Sequence, residues 1–284
     1  MTPANLQFMC GFLRKRSGLV IAADKAYLIE SRLNPVARRL GYASIDGMIE
    51  TLRAMRSPTL EVAVVEAMTT NESTFFRDRL PFERLKVSIL PRLLSARAET
   101  KRLNIWCAAA STGQEPYSIA IILKEMEAQL RGWRIDILGT DISAGVIEKA
   151  KAGIYTQFEV QRGLPIQQLV RNFTQEGEIW RLDAGIRAMV QFRQFNLLDD
   201  FAGLGTFDII FCRNVLIYFD RETKTQVLDR IAKAMAPDGA LLLGAAETII
   251  GLTESLRFMQ GERGIYEPVN QAAERSSPPR AAVG

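Results

Sequence analysis

From residue 103 onward the chain alternates strand-like and helix-like segments, and this alternation limits the possible folds more than any other feature. "LNIWCAA" (103–109) has the apolar and aromatic character of a buried strand, and 114–128 carries the 3.6-residue period of an amphipathic helix. "RIDILGTDI" (134–142) reads as a second strand and 143–151 as a second helix. Further strands are expected at "MVQFRQFNLL" (189–198), "FDIIFCRN" (207–214) and "GALLLGAA" (239–246), with a helix at about 221–236. Such a succession implies an α/β fold with a mainly parallel sheet and helices on both faces. Residues 255–268, ending in "RGIYEPV", can supply a closing antiparallel pair.

Two regions depart from the alternation. About 35 residues lie between the second helix and the 189–198 strand, more than a parallel crossover needs. Within them "RNFTQEGEIWRLDAG" holds two β-like stretches around Glu176-Gly177, so a helix and a β-hairpin inserted over about 155–188 are expected. Residues 1 to about 64 instead show helical periodicity: Leu6, Met9, Cys10 and Leu13, then Tyr27, Leu28 and Leu33, then Met48, Ile49 and Leu52. Gly18, Gly41 and Ser57-Pro58 punctuate them, and another apolar helix follows near 59–68. A small all-helical domain over 1–70 is expected, ahead of an α/β domain over 71–269. Asn34-Pro35 can start a new helix or kink a longer one. The tail from 270 to 284 has a disordered composition.

Composition removes several kinds of chemistry. There is no histidine, which excludes Ser-His-Asp and Cys-His catalysis and His-bearing zinc sites. Cys10, Cys107 and Cys212 are far apart and odd in number, so no disulfide framework is suggested. No apolar run nears the ~20 residues that span a bilayer, and the N-terminus lacks the order of a secretory signal. The cytoplasm is the expected compartment. Residues 1–64 hold nine Lys/Arg against five Asp/Glu, while the remainder holds 27 of each, so the net +4 belongs to the helical segment. That is too mild for nucleic-acid binding and suits docking on an acidic protein surface.

Three strand ends carry polar or small residues. "AAASTGQEPYSIA" (108–120) follows the first strand, and small residues at such a turn let a ligand approach the backbone. The loop is not G-x-G-x-x-G, which weakens a dinucleotide reading; plain packing is the alternative. Asp141 ends the second strand, where a carboxylate can accept from both ribose hydroxyls, although Asp141 or Ser143 can equally cap a helix. "CRN", ending at Asn214, closes a third strand. The combination points to a nucleoside ligand.

"MTTNESTFFRD", "WCAAASTGQEPYSIA", "LGTDIS", "FDIIFCRNVLIYFD" and "PDGALLLGAAET" follow one another in this order and together resemble the CheR family, glutamate O-methyltransferases of chemotaxis receptors. The resemblance spans roughly residues 5–268. It implies a Rossmann-like S-adenosylmethionine-dependent methyltransferase domain with a small β-subdomain insert, preceded by a small all-α domain. Carried over by motif, Asn71, Ser73, Arg77, Glu115, Asp141, Asn196, Leu197, Asn214 and Val215 are implied at the cofactor. Asp141 falls on the ribose, Asn196-Leu197 beside the adenine, and Asn214-Val215 at the sulfonium end. Arg77 suits a carboxylate because its planar fork binds bidentately. Arg213 is expected either to orient the substrate carboxylate or to pair with Asp220 or Glu247.

The resemblance further implies transfer of methyl from S-adenosylmethionine to receptor glutamates, with S-adenosylhomocysteine as coproduct. A glutamate is already an anion at neutral pH, so neither a base nor a metal is needed. The implied partner is the cytoplasmic helical domain of methyl-accepting chemotaxis receptors, approached by a monomer without nucleic acid or membrane insertion. Lys25, Arg32 and Arg39 recur every seven residues, with Arg38 nearby, and would form a cationic docking stripe on an unbroken helix; a solvated face is the alternative. Three features depart from the family pattern. Gln114 replaces one of two acids, "GAAE" (244–247) stands for the common "GHSE", and the hairpin "TQEGEIW" is shorter than in members that tether a receptor peptide. A catalytically weak S-adenosylmethionine-binding signalling module or scaffold therefore stands as the alternative function. A methyltransferase for RNA or a small molecule is disfavoured by the neutral catalytic half.

Overall fold

The computed structural model describes residues 1–55, 57–262 and 264–269. The 270–284 tail expected to be disordered lies outside them. Four helices open the chain: α1 (Pro3–Ser17), α2 (Ala26–Arg39), α3 (Ile45–Ala54) and α4 (Pro58–Met68). The Thr2 hydroxyl accepts from Asn5 N–H, Ser44 from Gly47 and Ser57 from Leu60, so three helices begin on a side-chain cap. Gly18 ends α1 at φ 75°, a left-handed turn that glycine adopts without Cβ strain. Met9, Leu13, Ile29, Leu33, Met48 and Ile49 are fully buried at the centre of this unit. Pro35 lies inside α2 without ending it. One helical hydrogen bond is lost there, while Leu33, Val36 and Ala37 around it stay packed in the core. Lys25 lies in the 3-10 turn that leads into α2.

Residues 80–96, to which the sequence pattern assigns no element, form α5 (Leu80–Arg84), a π-turn over Leu85–Ile89 and α6 (Leu90–Ala96). Phe82, Leu85, Ile89, Leu90 and Leu93 are buried from it. Pro91, which has no N–H to offer, stands two residues past the end of the widened turn, in the first turn of α6.

The alternation then builds a seven-stranded sheet. Its strands are β1 (Arg102–Ala108), β2 (Arg134–Asp141), β6 (Val190–Gln194), β7 (Phe207–Cys212), β8 (Met235–Leu243), β9 (Leu256–Phe258) and β10 (Ile265–Pro268). The order is β6-β2-β1-β7-β8-β10-β9. Pairs among the first five strands are parallel, and β10 runs antiparallel to both β8 and β9. The expected closing pair is therefore present. Helices α7 (Gln114–Glu125), α8 (Ala144–Ala152) and α12 (Arg221–Ala234) link the parallel strands. All six residues of β7 are buried, which accounts for its unbroken apolar run.

The insert holds one strand more than the expected hairpin. It comprises β3 (Ile154–Thr156), α9 (Gln157–Gln161), α10 (Ile166–Asn172), β4 (Phe173–Glu176), β5 (Ile179–Leu182) and α11 (Ala184–Arg187), with strand order β3-β5-β4. A three-residue strand is too short to show a period. Its central Tyr155 is buried edge-on against Phe75 at 5.0 Å, and its hydroxyl donates to Thr112 O at 2.8 Å. Tertiary contact fixes this strand.

Candidate functional site

The strand order reverses between β1 and β7, and in open α/β sheets ligands bind beyond the carboxyl ends of strands at such a point. A cleft opens there. Asn71, Ser73, Arg77, Glu115, Asp141, Asn196, Leu197, Arg213, Asn214 and Val215 all line it, from five separated segments of chain. The strands proper end earlier than the apolar runs suggest: β6 stops at Gln194 and β7 at Cys212, which leaves Asn196 and Asn214 on the turns beyond.

The backbone around the cleft is held in uncommon conformations. Ala109 (φ 64°), Ser111 (φ 50°) and Asn214 (φ 59°) are left-handed without being glycine. Such residues persist only where their surroundings hold them, and they cluster at functional sites. Here the holders are visible. Ala110 N–H donates to Thr140 O at 2.7 Å, Ser111 N–H to Asp141 Oδ2 at 2.9 Å, and Ser111 Oγ to Asn71 O at 2.8 Å. The loop after β1 is thereby tied to the end of β2 and to the segment leaving α4.

Asp141 is 6% exposed, and its Oδ1 also accepts from Ser143 N–H at 3.0 Å. Burial pushes its carboxyl above the usual range, while the N–H groups of Ser143 and Ser111 pull it back. Two main-chain bonds leave further acceptor positions on a carboxylate. Asp141 can therefore both brace the loop and receive hydroxyl donors from a ligand.

Arg213 is committed inside the protein. Nη1 donates to Glu115 Oε2 at 2.9 Å, and Nη2 to Asp78 Oδ2 at 2.6 Å and to Arg77 O at 2.9 Å. This corrects the expected pairing with Asp220 or Glu247, and the guanidinium presents no free fork to a substrate. Asp220 instead caps α12 through Thr223 N–H and pairs with Arg14 at 2.6 Å; Glu247 accepts main-chain N–H groups. Burial raises the Glu115 carboxyl above its ordinary value, and Arg213 opposes that rise.

Asn196 donates from Nδ2 to Arg16 O at 2.7 Å and accepts from Leu198 N–H at 3.0 Å, so its side chain is used structurally at the cleft wall. Gln114 is buried, accepts from Thr112 Oγ at 2.8 Å and is not part of the lining. Its departure from the two-acid pattern falls outside the cleft. Sequence reading missed Ser17, Leu19, Phe195 and Tyr218, all of which line it. Ser17 and Leu19 come from the end of α1, and no local signal marks them; Tyr218, in "VLIYF", stands four residues past Asn214.

Two family models divide the chain between them: the CheR methyltransferase all-alpha domain matches residues 4–69, and the CheR methyltransferase SAM binding domain matches 71–265. The chain belongs to the CheR methyltransferase family. It is 42% identical to chemotaxis protein methyltransferase 1 of Pseudomonas aeruginosa over 272 residues, covering 93% of this chain and 98% of that one. It is 40% identical to chemotaxis protein methyltransferase Cher2 of Pseudomonas putida over 271 residues, 93% and 98% of the two chains. A chemotaxis protein methyltransferase of Vibrio parahaemolyticus is 40% identical over 257 residues, 89% and 92%. The fold is thus a CheR all-α domain followed by an S-adenosylmethionine-binding methyltransferase domain.

In this CheR chain the helical domain forms one wall of the cleft. Glu66 of α4 accepts from Ser143 Oγ at 3.1 Å and Gly145 N–H at 3.2 Å, at the start of α8. Val20 N–H donates to Tyr218 O at 2.9 Å. Of the expected cationic stripe, Lys25, in the turn before α2, and Arg38 and Arg39, at the end of α2, are exposed. Arg32 is not free: Nη1 donates to Met68 O at 2.6 Å and Thr69 O at 3.2 Å, and Nη2 to Thr70 Oγ1 at 2.9 Å. It holds the segment that joins α4 to the cleft. Among the described residues no helix is long and apolar enough to cross a membrane, and no group of His, Cys, Asp or Glu is arranged to hold a metal ion.

Proposed function

We propose that this protein methylates glutamate side chains in the cytoplasmic helical domain of chemotaxis receptors, giving glutamyl methyl esters and S-adenosylhomocysteine. The observation that carries the reading is the convergence of Arg77, Asp141 and Asn214 on one cleft of a CheR chain that has no histidine to act as base.

The donors present suit S-adenosylmethionine. Asp141 offers acceptor positions for ribose hydroxyls, Arg77 a cation for the methionine carboxylate, and Leu19, Phe195 and Leu197 apolar walls for the adenine. Asn71 and Ser73 add polar groups on the Arg77 side, and Glu115 an anion near the amino end. When bound, the cofactor supplies an electrophilic methyl group on a sulfonium. The residues around it have no proton to remove, because a glutamate is ionised at neutral pH. Their task is alignment and exclusion of water, for which orientation can lower a barrier by ~7–11 kcal/mol. Arg213 acts here through Glu115 and the Arg77 segment that it holds.

Incubation with cofactor labelled in its methyl group and receptor-bearing membranes tests the proposal. Label should enter the receptor and leave as methanol in mild alkali, as expected of a carboxyl ester. Absence of label from the receptor, or label that alkali does not release, would reject the glutamate assignment.

A further inference from the structure

Glu247 follows β8, and its carboxylate accepts four main-chain N–H groups. Oε2 takes Asn214 N–H at 2.8 Å and Gly244 N–H at 2.7 Å; Oε1 takes Val215 N–H at 3.0 Å and Leu216 N–H at 2.7 Å. A carboxylate has about four lone-pair positions, so its accepting capacity is filled by these bonds alone. The clamp joins the turns that follow β7 and β8, and Glu247 is not among the residues lining the cleft.

Two further observations point to the same place. Asn214 is left-handed (φ 59°) at the cleft, and two of the four donors are its own N–H and that of Val215, which also lines the cleft. Gly244 has no room for a side chain: a Cβ there would stand 2.6 Å from Glu247 Oε2, 2.9 Å from Asn214 N and 3.0 Å from Asn214 Nδ2. The intervening Ala245 and Ala246 are exposed. In "GAAE" the first and last residues therefore make the contacts.

We propose that Glu247 is a positioning residue: its carboxylate fixes the left-handed turn at Asn214 and so aims Asn214 and Val215 into the cleft, with Gly244 giving the clamp its space. This rests on the methyltransferase reading, for which it names what holds the site. Glutamine at 247 keeps the shape but turns a donating NH2 toward two of the four N–H groups. Alanine at 244 attacks the same clamp sterically.

Hydrogen–deuterium exchange on the ligand-free protein is the test that needs no substrate. In both Glu247→Gln and Gly244→Ala, exchange over residues 213–216 should rise at least tenfold, while β1, β2 and the helical core keep wild-type rates. Turnover on receptor should fall tenfold or more in Glu247→Gln, and adding Asn214→Ala should lower it no further than Asn214→Ala alone. Unchanged exchange over 213–216, a rise spread evenly over the whole chain, or losses that multiply in the double variant would each overturn the proposal. If the wild-type protein leaves receptors unmethylated, the reaction assignment fails, and exchange together with S-adenosylhomocysteine affinity still judges the clamp.

Discussion

Gly18, at the end of α1, faces the ring of Phe219 in the catalytic domain so closely that a Cβ on it would lie 2.9 Å from two ring carbons. Leu198 Cδ2 would stand at 3.3 Å. Gly18→Ala should therefore destabilise the protein by roughly 1–3 kcal/mol through overpacking, with a further ~1 kcal/mol from the left-handed backbone. Because Ser17 and Leu19 line the cleft on either side, S-adenosylhomocysteine affinity should fall as well. Thermal unfolding and calorimetry check the two effects; a wild-type melting point would show that the contact relaxes freely.

Asp141→Ala removes the buried carboxylate that braces Ser111 and faces the cleft. Loss of a charged hydrogen-bond partner should weaken S-adenosylhomocysteine binding by roughly 1–3 kcal/mol. Calorimetry showing unchanged affinity would remove Asp141 from the ribose site. Cys107→Ala, at a buried position near the end of β1, should act on stability and leave binding intact.

The cations of α2 should separate into two classes. Arg38→Glu with Arg39→Glu reverses two exposed charges and should cut receptor methylation sharply without altering cofactor affinity. Arg32→Glu loses three hydrogen bonds to residues 68–70 and should lower stability and cofactor affinity together. Wild-type activity should fall as salt rises, since exposed charges are screened within about 8–10 Å at physiological ionic strength. Receptor methylation at the wild-type rate in the double reversal would place docking elsewhere.

The β4–β5 hairpin turns in only two residues, Gly177 and Glu178. Such a short loop offers little to clasp a receptor's C-terminal peptide, so this enzyme should work without that tether. Micromolar binding of the peptide in calorimetry would reverse the expectation.

Asp238 illustrates a pH dependence whose sign is fixed. Hydrogen bonding to Arg97 holds its carboxyl below the ordinary 3.8. A depressed carboxylate adds stability that is fully present above the ordinary value and is lost as pH falls through the lowered one. The stability difference between wild type and Asp238→Asn should thus be largest above about pH 5 and shrink below 3.8. Denaturant titrations at several pH values check this, and a difference that grows in acid would contradict the assignment.

Local information was enough for the order of the sheet's elements. The parallel strands are buried on both faces and read as continuous apolar runs, and their helices carry a regular period. Asp141, Asn214 and the small residues after β1 were legible as well, because small and polar groups at strand ends break those runs. Asn71, Ser73, Arg77, Glu115, Asn196, Leu197 and Val215 were legible only through the family motifs, and Ser17, Leu19, Phe195 and Tyr218 were not legible at all. Which atoms those residues use was not legible. Arg213 finds Glu115 and Asp78 rather than the acids proposed from sequence, Asn196 turns its amide to Arg16, and Arg32 leaves the docking stripe to hold residues 68–70. Each partner lies 36 or more positions away along the chain, so only the packed chain decides which groups meet. The same holds for Glu247, whose four bonds reach 3 to 33 residues away and whose own neighbours, two exposed alanines, give no sign of its contacts. A pattern along the chain records burial, while hydrogen-bond partners depend on directions that exist only once the strands have been laid side by side.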